Sequence, residues 1–330
     1  MEVLVLGGTR FFGHTLVHRL VAHGHAVTVL TRGNLPVPTG AHHLKADRTD
    51  PAALAAVLSG RRFDVVIDNV AFTGADVEGI LGALRDRLGH YVLVSTESVY
   101  AEFTGLRMYH ESEVGPGNLQ PIPGLNPYAE GKREAERVLW ERQGTIPPFT
   151  IVRPGFVVGP HDYTRRFDFF LQRVLDGGPI LLPDGLPSIF QLSWHEDVCA
   201  VILATLQAPK AYHRAYHAVG AELFTYQTLV ATLAGLAGSA SATVSVSREA
   251  LEAQGLADYG LPYGGPGWVL VGEGGRTRDE LNLVPTPASV WMPQLVAHRR
   301  AHPHEPDSAG YARRTEEVRL ALRSHHAPTH

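Results

Sequence analysis

Leu6-Gly7-Gly8-Thr9-Arg10-Phe11-Phe12-Gly13 decides how this chain folds. The apolar run Val3-Leu4-Val5-Leu6 precedes it, and Leu16, Val17, Leu20 and Val21 follow at helical spacing. A strand, a glycine turn and a helix open a βαβ unit. At such a turn the first N–H groups of the helix point outward, and the helix dipole favours an anion. Glycine at 7 permits a tight turn, and glycine at 13 lets the helix lie close on the strand. The stretch reads as a dinucleotide pyrophosphate site, with Gly7, Thr9, Arg10, Phe11, Phe12 and Gly13 as cofactor contacts. Arg10 stands where a third glycine is expected.

Working outward, Ala26-Val27-Thr28-Val29-Leu30 is a second buried strand ending at Thr31-Arg32-Gly33. An acid at that end would receive the adenosine ribose 2′-hydroxyl, whereas an arginine accommodates a 2′-phosphate. No acid is present. Arg32, joined by Arg10, pairs with a 2′-phosphate through charge-assisted bonds, which favours NADP with NAD as the alternative. The competing reading makes Arg32 a solvated loop residue. Asp50-Pro51 starts a helix, which places Asp47 beside the adenine pocket or leaves it to bond its own turn.

Phe63–Asn69 is a third strand, followed by a helix from about Ala75 to Leu88 and by the strand Tyr91–Ser95. Residues 96 to 126 are irregular. Asn126-Pro127 then starts a helix running through Leu139, and Phe149–Val152 leads into Arg153-Pro154-Gly155. This alternation predicts an α/β fold, a Rossmann-type doubly wound parallel sheet with a smaller C-terminal α+β substrate lobe. The dinucleotide-binding domain is expected over 1–155 plus about 188–219. The substrate lobe is expected over about 156–187 and 220–330. The glycine-rich stretch Gly260–Gly275 reads as a mobile lid or a disordered insert, and Leu322–His330 as a frayed end.

The 29 basic and 33 acidic residues give a net charge of −4, which supplies no chain-wide basic footprint for nucleic acid. A single cysteine, Cys199, excludes an intrachain disulfide and fits a reducing compartment. The first strand begins at residue 2, leaving no room for a signal peptide, and no apolar run reaches membrane-span length. A soluble cytoplasmic protein is expected. His23/His25, His42/His43 and His325/His326 have no Cys or carboxylate at ligand spacing, so no metal is expected. His161-Asp162 reads first as a turn and otherwise as a substrate contact.

Tyr128-Ala-Glu-Gly-Lys132 carries the chemistry. Spacing of i, i+4 puts both side chains on one helix face. An ammonium beside a phenol favours the phenolate, bringing the tyrosine toward use as a proton donor and acceptor. Thr96 ends a strand and offers a hydroxyl to the same reacting oxygen. Glu97 reads equally as a general acid/base or as a solvated turn residue.

Together these stretches resemble the extended short-chain dehydrogenase/reductase family, which includes NAD(P)-dependent epimerases and dehydratases. The resemblance rests on the glycine turn, on Val94-Ser95-Thr96-Glu97-Ser98-Val99-Tyr100 and on Tyr128–Lys132. Arg153–Pro160 and Trp194–Val198 add to it, and it covers about the first 210 residues. It implies Tyr128 as catalytic acid/base, Lys132 holding the nicotinamide ribose and tuning Tyr128, and Thr96 polarising the substrate oxygen. It places Asn69, Val70 and Pro154 against the cofactor. It also implies a homodimer.

The chain departs from the family at three positions. Arg10 places it with an atypical branch that includes the chloroplast stem-loop RNA-binding proteins. Phe156 replaces the asparagine that contacts nucleotide sugars. Glu97 is followed by Ser98 rather than a second acid, so half the dehydratase pair is present. The expected function is an NAD(P)-dependent oxidoreductase or epimerase acting on a hydroxyl or carbonyl carbon of a small, sugar-like molecule. The alternative is a cofactor-binding regulatory or RNA-binding protein with vestigial chemistry.

Overall fold

Val3, Leu4, Val5 and Leu6 are all buried, as a strand covered on both faces requires. The computed structural model describes residues 1–101 and 105–324. β1 (Glu2–Leu6) leads into α1 (Phe11–Ala22), β2 (Ala26–Thr31), β3 (His42–Lys45), α2 (Pro51–Leu58) and β4 (Phe63–Asp68). Next come α3 (Gly74–Leu84), β5 (Leu88–Val94), α4 (Pro127–Glu141) and β6 (Phe149–Pro154). Asp50 caps α2 by accepting from the N–H groups of Ala52 and Ala53. Asn126 caps α4 in the same way through Tyr128 N–H.

After the short strand β7 (Phe156–Val158) come α5 (Arg166–Leu175), β8 (Ile180–Pro183), β9 (Ile189–Trp194), α6 (His195–Thr205) and β10 (Arg214–Ala218). They are followed by β11 (Leu223–Phe224), α7 (Tyr226–Ala237), β12 (Thr243–Val246), α8 (Arg248–Ala253) and β13 (Val269–Leu270). α9 (Gly275–Leu281), α10 (Ala288–Ala301) and α11 (Arg314–Ser324) complete the described chain.

Seven parallel strands form the main sheet in the order β10-β6-β5-β4-β1-β2-β3. Read from the other edge this is the Rossmann-type doubly wound arrangement, and its order reverses between β1 and β4. Ligands bind outside the strand ends at such a reversal. α1 and α6 pack together on one face, while α2, α3 and α4 pack on the other. The edge strand β3 escapes the sequence pattern because it has four residues, of which Leu44 alone is buried.

β9 pairs with β7, β11 and β13 in a second sheet, and β8 pairs with β12. An aromatic core containing Phe167, Phe170, Phe190, Trp194, Tyr263 and Trp291 holds this region together. Gly260–Gly275, read as a lid or disordered insert, instead supplies β13, and its Tyr263 is buried. Tyr226 fixes it by donating to the Gly264 carbonyl and accepting from Tyr263 N–H. The irregular region after β5 is similarly pinned. Arg153 donates to the carbonyls of Glu111 and Val114, and Arg133 to those of Val99, Asn118 and Gln120. His325-His326 and the end of the tail expected to fray lie outside the described residues. No helix among the described residues is long and apolar enough to cross a membrane.

Candidate active site

The chain turns sharply after β1, with φ of +89° at Gly7 and +88° at Gly8. A Cβ at Gly8 would lie 2.9 Å from Val17 Cγ2 and 3.1 Å from Val5 Cγ1, so only glycine fits both the dihedral and the space. Arg10 is the N-cap of α1 and makes no side-chain cap. The first N–H groups of α1 therefore lack that internal partner, the condition for anion binding at a helix start.

A cleft of about 630 Å³ opens where the strand order reverses. Gly7, Gly8, Thr9, Arg10, Phe11, Phe12 and Gly13 line one side, and Asn69 and Val70 the other. Thr31, Arg32 and Asp47 line its far end. Both side-chain polar atoms of Asn69 are buried without a partner, an arrangement a bound polar group would relieve. A glycine cradle, an open helix start and an unpaired buried amide together fit a dinucleotide.

Lys132 and Pro154 lie away from this cleft lining. Pro154 is in register with Ala218 inside the main sheet. Lys132 is buried, its Nζ donating to the Val94 carbonyl at 2.9 Å and facing the ring of Phe72, a cleft residue. Sequence reading missed Arg48 and Tyr163, which also line the cleft. Arg48 grips Asp68 through two bonds of 2.7 and 2.8 Å and donates to the Asp76 carbonyl. Its partners are distant in sequence, so no local spacing announces them.

At the far end, Thr31 Oγ1 and His43 Nε2 share a hydrogen bond of 2.8 Å. Asp47 accepts from both the N–H and the hydroxyl of Thr49. These two bonds, led by the backbone one, hold its carboxyl below the usual range. Its local turn role is therefore present. Arg10 and Arg32 are both exposed.

At the reacting end, α4 approaches the segment between β4 and α3 closely because position 131 is glycine: a Cβ there would stand 2.2 Å from the Phe72 carbonyl oxygen. This seating puts Lys132 Nζ 5.1 Å from the centroid of the Phe72 ring. Tyr128 is 46 % exposed as a residue, and its phenol lies beside Thr96, which follows β5.

The two ionisable groups depart from the sequence expectation. Desolvation pushes the Tyr128 phenol above its ordinary value, although Thr96 and the Arg166 guanidinium pull it down. Desolvation also brings Lys132 down to about 8, against the pull of Asp68 and Glu136. The expected lowering of Tyr128 by Lys132 is not found: burial sets the direction, and the cation that opposes it is Arg166.

Beneath this end lies a buried polar network. Ser95 donates to Glu136 at 2.6 Å, and Arg153 meets the same carboxylate at 2.9 and 2.5 Å. Arg153 also donates to Tyr100 Oη, which bonds His217 Nε2. Glu97 is 1 % exposed, so its reading as a solvated turn residue is overturned. Its carboxyl packs against Gly155 and Gly272, and neither oxygen has a hydrogen-bond partner. Desolvation and then Glu111 push it up to about 8, while Arg153 opposes them.

Similarity to known proteins agrees with this architecture. The chloroplast stem-loop binding protein of 41 kDa b from Arabidopsis thaliana is 31% identical over 252 residues, 72% of this chain and 63% of that protein. The 4-hydroxy-2-methyl-3-oxo-4-farnesyl-3,4-dihydroquinoline-1-oxide ketoreductase from Stigmatella aurantiaca is 30% identical over 212 residues, 55% of this chain and 59% of that protein. The chain thus spans about three fifths of each relative's length. The Thermus thermophilus UDP-glucose 4-epimerase, solved as a complex with NAD, superposes with a TM-score of 0.72 at 21% identity. That match covers 91% of this chain and 99% of the epimerase. The family model for the NAD dependent epimerase/dehydratase family matches residues 3–218, and the chain belongs to that family.

Proposed function

We propose that this chain is an NADP-preferring oxidoreductase that reduces a carbonyl carbon of a small molecule, with Tyr128 as proton donor. The observation that carries the reading is the Tyr128 phenol, set beside Thr96 at the sheet end, where burial pushes it above its ordinary value. A phenol so placed keeps its proton at neutral pH and gives it to an oxygen that gains negative charge.

Gly7, Gly8 and the start of α1 would hold the pyrophosphate, and Asn69 and Val70 would flank the nicotinamide half. Bound there, the nicotinamide supplies the hydride. Thr96 Oγ1 shares the substrate oxygen with Tyr128 Oη and fixes its direction. Lys132 spends one N–H on Val94, and its remaining donors orient the nicotinamide ribose. Arg32 and Arg10, with no acid at the end of β2, would pair with a 2′-phosphate. The Stigmatella relative's name as a ketoreductase supports the reductive direction.

A second reading, RNA binding on the same fold, draws on the name of the Arabidopsis relative. The Tyr128–Lys132 pair and the net charge of −4 weigh against it. Fluorescence titration of the chain with NADPH and NADH separates the two. The proposal expects saturable NADPH binding, tighter than NADH. Binding of an RNA stem-loop with no binding of either nucleotide would sink it.

A further inference from the structure

His161 lies far in sequence from His298 and Glu305, which are seven residues apart, and one ligand atom from each lies within 4.8 Å of the others. His298 Nε2 stands 3.1 Å from Glu305 Oε1, and His161 Nδ1 stands 4.0 Å from the same oxygen. The two imidazoles meet edge to face, 5.0 Å between centroids at 90°. His161 adopts φ +62°, a left-handed conformation uncommon outside glycine.

The surroundings leave one carboxylate oxygen for this cluster. Arg165 donates to Glu305 Oε2 at 2.9 Å, so Oε1 is the oxygen presented to the histidines. The two nearby guanidinia, Arg165 and Arg299, share Asp168 at 2.6 and 3.5 Å and Glu305 Oε2 at 2.9 and 3.9 Å. A small cavity of about 40 Å³ adjoins the three side chains and has room for a water.

We propose that His161, His298 and Glu305 form a site for a zinc-class divalent metal ion that ties the loop after β7 to the end of α10. Two imidazoles and a carboxylate select borderline ions over calcium or magnesium, which prefer all-oxygen sites. Around a tetrahedral ion with bonds of about 2.0–2.1 Å, ligand atoms lie about 3.3 Å apart. The present 3.1 and 4.0 Å bracket that spacing. All three separations lie within 4.8 Å, so His161, whose side chain is 72 % exposed, has to move inward to close on such a centre. The cavity water takes the fourth position.

The sequence reading expected no metal because His23/His25, His42/His43 and His325/His326 lack a Cys or carboxylate at ligand spacing. Folding alone brings His161 to His298 and Glu305. The same loop carries Tyr163 into the cofactor cleft, so the ion would steady one wall of that cleft.

The test is a calorimetric titration of the chelator-treated full chain with Zn²⁺ alone, repeated on His161→Ala, His298→Ala, Glu305→Gln and, as control, His42→Ala. One equivalent per chain is expected for wild type and for His42→Ala. Binding should weaken at least about tenfold in each of the other three. Zn²⁺ should raise the Tm of wild type but not of His161→Ala, whose exposed side chain can be removed without unfolding the chain. Absence of uptake by wild type, or an isotherm unchanged by His161→Ala, overturns the site.

Discussion

The guanidinium of Arg10 lies 5.7 Å from the centroid of the Tyr163 ring, joining the start of α1 to the loop after β7. Both residues line the cleft. The arginine at position 10 therefore has a contact across the cleft. An exposed cation–π pair contributes about 0.5–1 kcal/mol, too little to dominate folding but enough to bias how the cleft stands.

Arg32 has no comparable partner across the cleft, so its substitution isolates the phosphate question. Arg32→Ala should weaken NADPH binding about tenfold or more, since a hydrogen bond to a charged group contributes about 1.5–3 kcal/mol. NADH affinity should change less than about twofold, because it offers no 2′-phosphate. Fluorescence titrations of both nucleotides measure this. Equal losses for the two would show that Arg32 does not read the phosphate.

Tyr128→Phe removes one oxygen and leaves the ring in place. Turnover should fall by about 10²–10⁴, the range for losing a positioned proton donor. NADPH affinity should hold, because Tyr128 is not among the residues lining the nucleotide cleft. Steady-state rates with a carbonyl substrate, set beside a nucleotide titration, test both halves. Full activity in Tyr128→Phe would remove the proton-donor assignment.

How much of this was legible in the sequence depended on distance along the chain. The glycine turn and the caps at Asp50 and Asn126 are local, and each stands where its spacing placed it. The protonation states were not legible, because they depend on burial. Tyr128 moves up rather than down, and Glu97 is enclosed by Gly155 and Gly272 from later strands and loops. The smaller lobe was faint for a related reason: β11 and β13 have two residues each, and their pairing with β9 carries no periodic signal.

The Arg153–Glu136 pair is fully enclosed, with neither side chain exposed. Breaking such a pair strands a buried cation, at a cost of about 3–5 kcal/mol. Glu136→Gln should lower unfolding stability by that order in urea melts. It should also loosen the loop after β5, since Arg153 holds the Glu111 and Val114 carbonyls there. Glu78→Gln breaks the half-exposed pair with Arg142 and should cost less than about 1 kcal/mol. Equal effects from the two substitutions would show that the buried network does not brace the site.

Glu97 ties stability to pH. Its carboxyl is pushed up to about 8 by burial and by Glu111, from an ordinary 4.5. Between those values the folded chain keeps a proton that the unfolded chain releases. Its contribution is therefore whole below pH 4.5 and is lost as pH rises toward 8. The loss approaches about 1.4 kcal/mol per pH unit within the window. Glu97→Gln mimics the neutral acid and cannot ionise. Its stability relative to wild type should rise steadily across the window and level off above it, as read from urea melts at successive pH values. A difference that stays flat with pH would mean that Glu97 ionises freely in the fold, and that its burial is relieved by a partner the two orphaned oxygens do not reveal.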